Sequence, residues 1–132
     1  MLHNGTVIVI KLYVEKDKHI LIVDRDTSFA DELTNFLLAA GYRNIESLDN
    51  YKGALVRVKQ NSFDVVLMDI FNPEMKGLKY AEKIRFLKPK IKIFLLIEPE
   101  HHALINNELL REFKFKCVFK FLIKENLLEL FR

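Results

Sequence analysis

Short, continuously apolar runs alternate along this chain with amphipathic stretches, and that alternation limits the folds open to it more than any other feature. His19–Val23, Asn44–Leu48, Phe63–Met68, Ile91–Ile97 and Lys116–Phe119 read as strands. Thr27–Ala40, Asn50–Gln60, Leu78–Leu87, His101–Phe113 and Glu125–Phe131 read as helices. In the first helix Phe29, Leu33, Phe36, Leu37 and Ala40 share one face, and Gly41 is its stop. Strands that are hydrophobic throughout belong in a parallel sheet covered on both faces. Five such βα units predict a doubly wound α/β sandwich, whose site lies outside the carboxyl ends of the strands.

With 132 residues there is enough chain for one domain and too little for two. The segment before His19 stands outside the alternation. Asn4-Gly5 signals a turn and Thr6–Glu15 has β character, so residues 1–17 are expected to form an extension. That extension either adds an edge strand or pairs with a second copy as a homodimer arm. Net charge is +3, with lysines scattered among acids, so direct nucleic-acid contact is not expected. Cys117 is the sole cysteine, which excludes an internal disulfide and a cysteine-based zinc site. No apolar run is long enough to span a membrane, and no signal-peptide pattern opens the chain. A soluble, cytoplasmic protein is the expectation.

Polar groups sit at three strand ends. HILIV runs into Asp24-Arg25-Asp26, DVVLM into Asp69, and CVF into Lys120. Each has an ordinary structural role available. Asp26 suits the cap of the helix beginning at Thr27, Asp69 suits a turn, and Lys120 suits a side chain reaching to water. At one sheet edge they make a site instead, because clustered acids raise one another's pKa unless a cation lies among them.

The stretches ILIVDRD, LLAAGY, FDVVLMDIFNPEMKGL, IKIFLLIEPE and FKFLIKENLLEL resemble the receiver domain of two-component response regulators, over residues 18–132. The pattern Asp69, Pro73, Gly77 is the most diagnostic part. The resemblance implies a flavodoxin-like sheet in strand order 2-1-3-4-5, with helices on both faces. It implies that Asp69 is the phosphoacceptor, served by a histidine kinase or another signalling protein, and that Lys120 binds the phosphoryl oxygens. It implies Mg²⁺ held by Asp24, Asp69, the Phe71 backbone carbonyl and, as a substitute ligand, Asp26.

Several positions depart from the family pattern. Arg25 stands where the family has a metal-binding acid, so Mg²⁺ binding should be weakened. We expect the Arg25 guanidinium to lie near Asp69 or its neighbouring acids and replace part of the metal's charge. Ile97 replaces the hydroxyl residue that ends the fourth strand, Glu98 the small residue after it, and Cys117 the aromatic switch residue. Phe121 replaces the proline after the lysine, and Phe113-Lys114 a glycine-alanine pair. The fold signature is kept and the switch signature is degraded. The final helix is short for the family, consistent with a piece of a longer protein. VDRDTS also resembles the D-x-D signature of haloacid-dehalogenase-like phosphatases, with Asp24 as nucleophile and Asp26 as acid-base. That reading leaves no room for a cap and leaves Asp69 unexplained. A flavin protein lacks support, since no phosphate-binding loop follows the first strand.

Overall fold

All five apolar runs become strands, and every pairing between them is parallel, in the order β2-β1-β3-β4-β5. The computed structural model describes residues 16–71 and 75–120. The strands are β1 (His19–Val23), β2 (Asn44–Leu48), β3 (Val65–Asp69), β4 (Lys92–Ile97) and β5 (Phe115–Phe119). The helices are α1 (Thr27–Ala39), α2 (Tyr51–Gln60), α3 (Lys76–Leu87) and α4 (Asn107–Phe113), with a 3-10 turn at Pro99–Leu104. The expected segment Thr6–Glu15 and the expected helix Glu125–Phe131 lie outside the described residues, as do Pro73 and Phe121.

The helices start where side chains satisfy their first N–H groups. Asp26 accepts from Phe29 N at 3.1 Å, Asn50 from Gly53 N at 2.6 Å and Asn106 from Glu108 N at 2.7 Å. Gly41, at φ +101°, ends α1 in the left-handed conformation that an achiral residue takes without penalty. The sheet divides the core in two. Ile20, Ile22, Leu67 and Phe94 face α1 through Phe29, Leu33 and Leu37. Leu21, Val66, Met68 and Leu95 face α2 and α3 through Ala54, Val58, Ala81 and Ile84.

One predicted element is divided. His101–Phe113 is a 3-10 turn followed by α4 rather than one helix. Ile105 N donates to His102 O, closing the tight turn, and the Asn106 side chain then caps a new helix. Asparagine offers the backbone this local alternative to continuing a helix, and here it prevails.

Candidate functional site

β3 is buried along its whole length and ends in Asp69, between the neighbouring ends of β1 and β4. Parallel pairing therefore carries Asp24, just past β1, to the same edge. Lys120, just past β5, reaches the two acids by the length of its side chain. Relative exposures of 1% for Asp24, 8% for Asp69 and 9% for Lys120 make this a buried charge triad. Lys120 Nζ forms an ion pair with Asp24 Oδ2 at 2.8 Å and donates to Asp69 Oδ2 at 3.1 Å. Its ammonium is also 4.9 Å from the Phe29 ring centre.

The remaining carboxylate oxygens meet backbone donors. Asp26 N donates to Asp24 Oδ1 and Phe71 N to Asp69 Oδ1, each at 2.9 Å. Burial pushes the Asp24 carboxyl up to about 6, against the hydrogen bonds from Lys120 and the Asp26 backbone that favour its charged form. Burial would lower the Lys120 pKa, but the two carboxylates outweigh it and hold the ammonium above its ordinary value.

Asp24, Asp69 and Lys120 are thus brought together, and the other expected residues are not all with them. Asp26 is exposed and its carboxylate caps α1. Arg25 does not approach Asp69, contrary to expectation. It is exposed beside Asp49, Asn50 and Tyr51 and forms no ion pair among the described residues. Lys120 already occupies the facing carboxylate oxygens, and a guanidinium is more cheaply hydrated than buried without an anion. Ile97 is buried at the end of β4, next to half-buried Glu98. Cys117 is half-buried, and burial pushes its thiol up to about 11, so it stays protonated. Phe71 stacks on His101 with ring centres 4.1 Å apart.

Mg²⁺ needs several oxygen ligands in near-octahedral array. Arg25 offers none, Asp26 is committed to its helix, and Asp24 and Asp69 turn an oxygen each to Lys120. Among the described residues no group of three His, Cys, Asp or Glu side chains is placed to hold a metal. This donor set does not fit the divalent cation that the resemblance implies.

Tyr51 was missed by sequence reasoning. Its hydroxyl donates to the Asp69 backbone carbonyl at 2.8 Å and fixes the end of β3. The signal for it was Gly77. A Cβ there would lie 2.5 Å from Ile70 Cα and 2.7 Å from the Tyr51 hydroxyl. Glycine lets α3 press against both, which is the physical content of that motif position. His101 carried no signal, since only the fold brings it to Phe71.

Comparison with known proteins agrees with this fold. The family model for the response regulator receiver domain matches residues 20–132. The response regulator receiver protein CpdR of Brucella abortus is 32% identical over 79 residues, covering 60% of this chain and 65% of that protein. The chemotaxis protein CheY of Thermotoga maritima is 30% identical over 88 residues, covering 67% of this chain and 73% of that protein. The crystal structure of the response regulator TrrA of Thermotoga maritima, in complex with Mg²⁺-BeF, superposes with a TM-score of 0.68 at 27% identity. It covers 86% of this chain and 96% of that one. The chain spans 17% of the transcriptional regulators ZraR that it also matches, and slightly under two thirds of CpdR. No helix among the described residues is long and apolar enough to cross a membrane. With its five-stranded parallel sheet, its buried Asp69 and a family match that runs from β1 to its last residue, the chain belongs to the response-regulator receiver domains of two-component signalling.

Proposed function

We propose that this receiver is a docking module for a histidine kinase or another signalling protein, with Lys120 supplying the counter-charge of its acceptor site in place of a metal. Asp69 stands in the phosphoacceptor position, and phosphoryl transfer to it is slow. The observation that carries this reading is the Lys120 ammonium set 2.8 Å from Asp24 and 3.1 Å from Asp69. A single internal cation shared by both buried carboxylates supplies part of the counter-charge that a metal would give. Arg25, in the position of a metal-binding acid, offers no oxygen ligand to a divalent ion. Ile97 has no hydroxyl with which to contact a phosphoryl group, and Cys117 has no ring to swing inward. The switch is therefore muted even when Asp69 is labelled.

Calorimetric titration of Mg²⁺ into the native chain and into Arg25→Asp tests the reading. Weak or undetectable binding is expected for the native chain, with a gain of at least about tenfold in the variant, roughly 1.4 kcal/mol. In parallel, mass spectrometry after incubation with acetyl phosphate and Mg²⁺ should show little labelling, all of it lost in Asp69→Asn. Tight Mg²⁺ binding and full labelling of the native chain would instead establish an ordinary phosphorylatable receiver.

A further inference from the structure

The edge of the sheet opposite Asp69, where the strands begin, has a character that the sequence conceals. Lysines that lie far apart in the chain meet there. Lys18 precedes β1, Lys88, Lys90 and Lys92 surround the start of β4, and Lys114 and Lys116 flank the start of β5. They line two adjoining grooves of about 450 and 600 Å³, one on each side of the Lys88–Lys92 loop. Asp64 is the one acid lining these grooves, and its carboxylate accepts from His19 N at 2.9 Å. Lys18, Lys88, Lys90, Lys114 and Lys116 form no ion pairs among the described residues. The opposite edge holds Asp24, Asp26, Asp49, Asp69 and Glu98 beside Arg25 and Lys120, so acids outnumber cations there.

Two details show that this edge is built and rigid. Arg85, reaching across from α3, donates to Phe113 O at 2.6 Å, Ile91 O at 2.5 Å, Pro89 O at 3.1 Å and Lys114 O at 3.2 Å. The guanidinium thereby ties the loop before β4 to the turn before β5. Lys114 itself takes the left-handed conformation, φ 57° and ψ 42°. A side chain costs about 1 kcal/mol there relative to glycine. A lysine held at a position that favours glycine weakens the fold locally and adds charge to the edge.

We propose that this edge binds the phosphate backbone of duplex nucleic acid without reading base sequence. The lysines flank the starts of β1, β4 and β5, whose outermost members are three interstrand steps or about 14 Å apart, close to the roughly 12 Å between phosphate chains across a major groove. Arg85, whose fork suits base edges, is occupied by carbonyls, and what remains are lysine point charges that suit phosphates. A lipid surface is disfavoured because Phe63, Ile91 and Ile93, the apolar groups of these grooves, are buried and have nothing to insert. The sequence by itself argued against nucleic acid because its lysines are dispersed, and the parallel sheet gathers them.

The test uses the full chain and a fluorescein-labelled duplex of about two helical turns. Fluorescence anisotropy across a series of salt concentrations gives affinity and its salt slope. With four to six lysine contacts, log K should fall against log salt with a slope of about −4 or steeper. Lys90→Gln/Lys114→Gly/Lys116→Gln should keep the fold, since glycine suits position 114, and should lose at least about tenfold in affinity with a slope shallower by about 3. Lys52→Gln/Lys59→Gln/Lys79→Gln, on α2 and α3 with the same net charge, should bind as the native chain does. Equal losses in both triple variants would reduce the effect to net charge and overturn the proposal. So would binding to phosphatidylserine vesicles without binding to the duplex, or no duplex binding at about 50 mM salt.

Discussion

Asp24 carries the sharpest consequence of the buried triad. Two carboxylates share one ammonium, and burial leaves Asp24 holding its proton up to about pH 6, against 3.8 in the unfolded chain. Within that window the folded chain binds more protons than the unfolded one, so this group's contribution to stability falls as pH rises. Asp24→Asn abolishes that slope. Between about pH 4 and about pH 7 the variant should gain on the order of 2 kcal/mol relative to the native chain, measured by urea unfolding at each pH. Parallel curves for the two proteins would show that Asp24 titrates normally. Lys120 pulls in the other direction and at higher pH. Its raised pKa contributes stability that is present below its ordinary value and lost as pH rises through the folded one.

At the scale of elements, the joints are less uniform than the strands they connect. Among the described residues, the joint around Arg85 concentrates the most hydrogen bonds on a single side chain. Burial lowers the guanidinium's pKa, yet its bonds to the carbonyls of the β4 and β5 approaches keep it in place. Arg85→Ala would leave several backbone carbonyls without their donor, at a cost of about 2–3 kcal/mol. Thermal unfolding should show that loss, and hydrogen exchange should quicken in both Lys88–Lys92 and Phe113–Phe115. A loss confined to one of these two segments would mean that they are not coupled through Arg85. The division of the stretch before β5 belongs to the same scale. Periodicity alone read one helix from His101 to Phe113, and the cap formed by Asn106 broke it.

For the molecule as a whole, the boundary of the folded unit is set by contacts rather than by strand β1. Lys16 Nζ donates to Ala40 O at 2.7 Å and lies 4.1 Å from the Tyr42 ring centre. Asn44 Nδ2 donates to Asp17 O at 2.8 Å. These contacts pin the entry of the chain to the end of α1 and the start of β2. A chain that begins at Lys16 should be more stable than one that begins at Lys18 by about 1–2 kcal/mol. Equal melting temperatures for the two would place Lys16 and Asp17 outside the cooperative unit.

The strands, the parallel sheet and the cluster of Asp24, Asp69 and Lys120 are all legible in the sequence. Apolar periodicity is local, and a parallel sheet has only one edge at which strands end, so strand-terminal residues must meet. Gly77 was legible as a motif position, and only the packing of α3 on Ile70 and Tyr51 gave it a cause. The direction of Arg25 was not legible. Adjacent residues after β1 diverge to opposite environments, and which of two cations meets the carboxylates depends on reach across the sheet from β5. The basic edge was hidden for the same reason. Its lysines are separated by up to about a hundred positions in the chain, and parallel pairing brings the starts of their strands side by side. The sequence by itself determined which segments are strands and which acids lie at their ends, because those follow from neighbouring residues. The partners of each charge were decided only by tertiary structure, because Coulomb energy depends on distance through space and not along the chain.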